Sequence, residues 1–211
     1  YAQAAFEFFL RNPLCQDMAR KVKIAFSSSD KDSAYTFLHD FGFVPRIKDG
    51  ARGFRVVVGG GLGAQSMLAH HVYDFLHEDL IIPFMEAALR VFDRYGERTR
   101  RNKARMKYLI KDLGLEKFLE LVEIERKANK VQRLKIDTTK VGVAIPDHDN
   151  IAPQVEIADQ KRYEDWLKTN VFEQKQKGYY AVALKVTKGD INPDEARAID
   201  ALEQESAPED L

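Results

Sequence analysis

Two β-prone segments, residues 41–47 and 54–58, are separated by Lys48-Asp49-Gly50, and an Asp-Gly pair between such segments supplies the left-handed backbone of a tight hairpin turn. That signal commits the middle of the chain to a sheet. Residues 21–26, Lys-Val-Lys-Ile-Ala-Phe, alternate as a strand should, and Ser27-Ser28-Ser29-Asp30 reads as a loop capping a helix over 31–38. Apolar residues at three- and four-residue spacing predict helices over Ala2–Leu10, ending before Pro13, and over 81–94, 102–113 and 115–127. His70 and His71 are read as adjacent on a helix, where their rings diverge. After a linker over 137–150, a helix over 161–169, a strand over 178–186 and a helix over 193–205, capped by Asn192 with Pro193 at its first position, suggest an incomplete second unit. The fold class is α/β, tending to α+β, with domains at 1–136 and 151–211.

Composition narrows the function classes. Lys and Arg number 33 and Asp and Glu 33, so no global field points to nucleic acid or to a membrane surface, and neither is expected as a partner. The charge signal is local: nine Lys or Arg lie between Arg90 and Lys111, opposed by Asp93 and Glu97. A single cysteine, Cys15, excludes an intrachain disulfide and a cysteine-held zinc or iron–sulfur site built from this chain alone, and fits a reducing, cytoplasmic compartment. No metal ligands are expected, since the five histidines lack zinc spacing. The chain begins at Tyr1 without Met and stops in an acidic stretch, and we read it as a segment of a longer protein.

Three groups of residues could carry chemistry. Lys21 and Lys23, two apart in an extended segment beside Arg20, point the same way, and like charges so placed repel unless an anion sits between them; a solvated strand face is the simpler reading. Gly59-Gly60-Gly61-Leu62-Gly63 follows a strand and allows close backbone approach by a ligand, although it lacks the dinucleotide spacing and a tight turn would need the same glycines. Arg98, Arg101 and Arg105 follow helical spacing and would form a cationic row suited to carboxylates or phosphates, or a solvated helix face paired with Glu97.

In order and spacing, Met18-Ala-Arg-Lys-Val-Lys-Ile-Ala-Phe26, Gly53-Phe-Arg-Val-Val-Val-Gly-Gly-Gly-Leu-Gly63 and residues 98–108 resemble the sirohaem-dependent sulfite and nitrite reductases. The resemblance implies a mixed-sheet sirohaem-binding repeat over residues 1–130 and the opening of a ferredoxin-like half-domain over 157–205. It implies that sirohaem and a [4Fe–4S] cluster serve the full-length enzyme, with Ser29 and Ser33 standing where a cluster-bearing repeat has cysteines; this chain alone is then expected to be cofactor-free and inactive. Residue by residue, Lys21 and Lys23 match catalytic contacts to the substrate anion, while Arg20, Arg98, Asn102 and Arg105 match sirohaem carboxylate contacts. The Gly59, Gly60 and Gly61 backbone would approach the macrocycle. The implied partners are sulfite or nitrite, a ferredoxin or flavoprotein electron donor, and the remaining domains of the same enzyme. Sulfite-type members tend to carry Lys-x-Lys at this segment and nitrite-type members Lys-x-Asn, so Lys23 favours sulfite. A non-enzymatic anion-binding module is the alternative from a different class.

Overall fold

The computed structural model describes residues 1–139, 156–174 and 178–206. The chain divides into two compact units, Tyr1–Lys140 and Val141–Leu211. The linker expected over 137–150 lies mostly outside the described residues.

The first unit is built on a four-stranded sheet, β1 (Ile24–Phe26), β2 (Phe41–Lys48), β3 (Ala51–Val58) and β4 (His70–His77), in that spatial order. The hairpin forms as its turn residues require: Lys48 pairs with Ala51, and Asp49 and Gly50 both take positive φ, 51° and 76°. Directly opposed residues share a face, so Phe41, Phe43, Phe54, Val56 and Val58 make one apolar surface, all at most 3% exposed. Helix α2 (Ile81–Tyr95) packs on it, with the Phe84 ring edge-on to Phe41 and Tyr73. Pro83 sits in the first turn of α2, where its missing N–H costs nothing. Helices α1 (Ala2–Leu10), α3 (Met106–Leu113) and α4 (Leu115–Ala128) contribute Ala5, Met106, Ile110, Phe118 and Val122 to the same core.

Four expectations are corrected. The parallel connection from β1 to β2 contains no helix over 31–38; it holds one 3-10 turn, Thr36–Leu38, because the Asp32 carboxylate accepts from both the Thr36 N–H (3.0 Å) and its hydroxyl (2.9 Å) and fixes Asp32 and Tyr35 at positive φ. Thr36 then lies against Gly42, on the sheet face opposite α2; a Cβ on Gly42 would stand 2.6 Å from it. Second, His70 and His71 begin the edge strand β4, antiparallel to β3 through an irregular register, rather than a helix. Third, β1 starts at Ile24, three residues later than expected, because the Lys23 N–H is taken by a side chain, Asp40 Oδ2 at 2.8 Å, and not by a ladder carbonyl. Fourth, residues 98–105 are not one helix: after Gly96 the chain runs as a loop, a 3-10 turn at Arg101–Lys103 and an extended Arg105 before α3 begins.

The second unit has α5 (Gln160–Asn170), a hairpin of β5 (Val171–Glu173) with β6 (Tyr180–Val182), and α6 (Pro193–Ser206). Strand β5 was not expected, and β6 is shorter than the expected 178–186; three-residue strands are too short to show alternation. Asn192 caps α6 as expected: its Oδ1 accepts from the Asp194 and Glu195 N–H groups while Glu195 Oε2 accepts from the Asn192 N–H, a reciprocal capping box. Among the described residues no helix is long and apolar enough to cross a membrane.

Candidate functional site

Residues 18–23 run extended into β1. Val22 and Ile24 turn toward the core while Lys21 and Lys23 are exposed, so the alternation read from the sequence holds even though this stretch lies outside the strand. Met18, Ala19, Arg20, Lys21 and Arg101 line a polar depression of about 340 Å³. Met18, Arg20 and Lys21 also border an adjoining groove of about 420 Å³ whose other walls include Phe9, Val22, Ile24 and Leu89. A carboxylate-bearing macrocycle needs this pairing of cations with an apolar wall, and on the donor set the residues fit sirohaem. Among the described residues no carboxylate stands within ion-pair distance of Arg20, Lys21, Lys23 or Arg101.

Of the other cations in the basic stretch, Lys103 and Lys111 are exposed, while the arginines are occupied within the chain. Arg98 binds the Asp93 carboxylate and donates to the Asp17 carbonyl at 3.1 Å. Arg100 pairs with Glu97 at 2.6 Å. Arg105 pairs with Asp40 at 2.6 Å, with Asp40 1% exposed. Asn102 lies exposed in the 3-10 turn. The row expected from helical spacing is therefore dispersed, and Arg101 is the member brought to Arg20 and Lys21. Sequence reasoning counted Arg101 in the row without selecting it, because which cation stays unpaired depends on where the fold sets the carboxylates.

Glu97 makes the turn that delivers Arg101. Its carboxylate accepts from the Thr99 hydroxyl (2.6 Å), the Thr99 and Arg100 N–H groups (2.8 and 3.1 Å) and Arg100 Nε (2.7 Å). The hydrogen bonds from Thr99, then those from Arg100, hold its pKa at about 2, below the ordinary 4.5. A carboxylate depressed on folding stabilises fully above pH 4.5, and that contribution is lost as pH falls toward 2. Glu97→Gln is thus expected to destabilise the chain near neutrality, with the difference from wild type vanishing in this acid window. Urea midpoints across the window check it; a difference independent of pH would refute the turn's dependence on the carboxylate.

The glycine loop differs from the expectation of free backbone donors. The Gly59, Gly60 and Gly61 N–H groups donate to the Asp40, His39 and Met67 carbonyls, each at 2.9 Å, and all three glycines are buried. A Cβ on Gly60 would meet the Phe37 carbonyl oxygen at 2.4 Å, and one on Gly61 the Arg105 guanidinium at 2.9 Å. These positions require glycine for packing inside the chain. Lys107, buried on α3, spans the loop from below, donating from Nζ to the carbonyls of Gly61 (3.3 Å), Leu62 (3.4 Å) and Gln65 (2.5 Å). Burial, then the neighbouring Arg105, pushes its pKa down. The buried contacts of Lys107 and Asp40 beside the glycine loop are ones that the sequence reading did not single out.

Residues 1–130 match the family described as the nitrite and sulphite reductase 4Fe-4S domain. The chain belongs to the nitrite and sulphite reductase family. It is 38% identical over 117 residues to sulfite reductase (ferredoxin) 1 of Mycolicibacterium paratuberculosis, covering 55% of this chain and 21% of that protein. It is 29% identical over 179 residues to the chloroplastic ferredoxin–nitrite reductase of Zea mays, covering 84% of this chain and 28% of that protein. The structure of the Mycobacterium tuberculosis NirA protein superposes with a TM-score of 0.52 at 31% identity, over 64% of this chain and 25% of that one. The chain therefore spans less than a third of the length of these reductases. The cluster in the family's description does not fit this chain's donors: a [4Fe–4S] cluster takes four thiolates, and the sequence has Cys15 alone, whose thiol burial pushes up. Of Ser29 and Ser33, matched to cluster cysteines by the resemblance, Ser33 shares a hydroxyl–hydroxyl hydrogen bond with Ser28 at 3.4 Å.

Proposed function

We propose that this chain is the part of a sirohaem-dependent sulfite reductase that supplies the cations around the substrate anion and the cofactor's carboxylates. The observation that carries the reading is the set of unpaired cations, Arg20, Lys21 and Arg101, around one polar depression beside an apolar groove. Uncompensated cations held close together cost Coulomb energy, and an anion relieves it. Lys21 and Lys23 hold the anion and donate protons to its oxygens as water leaves; Arg20, Arg101 and Asn102 take cofactor carboxylates. Sirohaem, when bound, supplies the six-electron reduction of sulfite to sulfide. Arg98 and Arg105, matched to cofactor contacts by resemblance, here serve first as counter-ions to Asp93 and Asp40, and Gly59 to Gly61 form the packed turn beneath the site. The complete enzyme would carry its cluster on other residues and receive electrons from a ferredoxin, the carrier named for both relatives above.

Lys23 carries the choice of substrate. Near neutral pH sulfite is a mixture of mono- and dianion while nitrite is a monoanion throughout, so a second ammonium, which also favours the sulfite dianion, gains more with sulfite in a partly desolvated site. The alternative, nitrite, is favoured by the longer match to the maize enzyme. Assay of the full-length protein should give wild type the higher kcat/KM for sulfite, with Lys23→Asn moving the sulfite-to-nitrite ratio about tenfold toward nitrite. A wild type that prefers nitrite, or a ratio that does not move, refutes the assignment to sulfite.

A further inference from the structure

We infer that Asp40 is the positioning residue of the lysine segment, holding Lys23 and, through it, Lys21 in the register that turns both ammonium groups to one side. Three chain segments that are far apart in sequence meet at this carboxylate. Its Oδ2 accepts the Lys23 N–H at 2.8 Å and Arg105 Nη2 at 2.6 Å. Its own carbonyl accepts the Gly59 N–H at 2.9 Å, and its neighbours complete the junction: the Phe41 N–H donates to the Lys23 carbonyl at 3.1 Å, and the His39 carbonyl accepts from Gly60 at 2.9 Å. Lys23 is thus gripped on both sides of its peptide, by a side chain on one and the sheet on the other. With the backbone of Lys23 fixed and Val22 turned toward the core, Lys21 and Lys23 share a side.

A stabilising role alone explains this arrangement poorly. Asp40 is 1% exposed, its Oδ1 has no partner among the described residues, and Arg105 Nε is likewise buried without one. A buried ion pair with a leftover polar atom on each side gains little over an apolar pair of similar volume. What an apolar pair would lack is the acceptor for Lys23. A charged acceptor makes that bond roughly twice as strong as a neutral one, and the guanidinium on the same oxygen compensates the carboxylate's charge. Arg105 is then the counter-ion of Asp40, and the Gly59–Gly60 backbone is registered to the lysines through the same residue.

The inference rests on the proposed reading that Lys21 and Lys23 bind the substrate anion, and the test separates the two. In the full-length holoenzyme, Asp40→Leu removes the acceptor, Asp40→Asn keeps an uncharged one, and Lys21→Ala reports on the anion site itself. Sulfite KM, kcat, the equilibrium dissociation constant for sulfite and sirohaem content per chain are measured for each. Asp40→Leu is expected to raise KM and the dissociation constant about tenfold, to lower kcat by less than Lys21→Ala does and to leave sirohaem content unchanged, and Asp40→Asn to recover affinity to within about threefold of wild type. Loss of fold alone would lower active enzyme and cofactor content without this split. Should Asp40→Leu be insoluble, Asp40→Asn decides: a two- to threefold rise in KM at constant kcat supports the inference, and an unchanged KM overturns it. It is also overturned if Asp40→Leu leaves sulfite affinity intact while Lys21→Ala weakens it, or if Asn serves no better than Leu. If Lys21→Ala leaves sulfite affinity unchanged, the anion reading fails and the inference falls with it.

Discussion

Lys21→Ala in the full-length enzyme should lower kcat/KM for sulfite by about ten- to more than a hundredfold while sirohaem content per chain stays constant. Lys21 is exposed, lines the depression shared by Arg20 and Arg101, and has no acidic partner among the described residues. Its charge therefore has no structural bond to lose, and its removal relieves repulsion in the unliganded site. Loss of one charge-assisted contact to a bound anion is worth about 1.5–3 kcal/mol, which sets the expected range. Because the contact strengthens as negative charge localises on departing oxygens, part of the loss should fall on kcat and not on KM alone. Measuring both constants with haem absorbance per chain checks it. Equal kcat/KM would remove Lys21 from the substrate, and a proportional fall in haem content would move it to the cofactor.

Where a feature depends on neighbouring residues, the sequence carries it. The hairpin turns on Asp49 and Gly50, α2 on its apolar spacing, and the cap of α6 on Asn192 with Glu195 three residues on. The family resemblance, drawn from three short blocks that fall at or before residue 108, agrees with the match over residues 1–130. The failures lie where a distant group overrides local preference. Residues 31–38 have helical potential, yet Asp32 folds back on Thr36 and docks it against Gly42. The edge strand β4 carries His70, His71 and Asp74 toward solvent and pairs through an irregular register, which blurs its alternation.

The site divides the same way. That Lys21 and Lys23 fall on one exposed side was legible because two-residue alternation is a local rule, and it survives in extended backbone outside a strand. The glycines were legible as special, with a tight turn as one of two readings, but their partners were not: the N–H groups point at carbonyls from residues 39, 40 and 67, which no spacing rule foretells. Arg98, Arg101 and Arg105 looked alike in sequence. They differ because Asp93, Asp17 and Asp40 claim two of them, and the Asp40 contact spans 65 residues. The cation that remains unpaired is the one with something left to offer a ligand.

That distinction gives Arg105→Ala an outcome different from the one its resemblance to a cofactor contact implies. If Arg105 acted solely on a sirohaem carboxylate, the cofactor-free 211-residue chain would not notice its loss. With Asp40 1% exposed and Arg105 its sole charged partner in the described residues, truncation instead leaves a buried carboxylate uncompensated. Breaking such a pair from one side costs about 3–5 kcal/mol, which in a chain of this size lowers the thermal midpoint on the order of 10 °C. Removing both partners should cost less than removing Arg105 alone, because no charge is then stranded, so Asp40→Ala/Arg105→Ala is expected to regain at least half of the lost stability. Thermal unfolding of the cofactor-free wild type, the single variants and the double variant measures the coupling directly. Additive losses, or an Arg105→Ala chain as stable as wild type, would return Arg105 to the cofactor and leave Asp40 with the Lys23 N–H as its one functional bond.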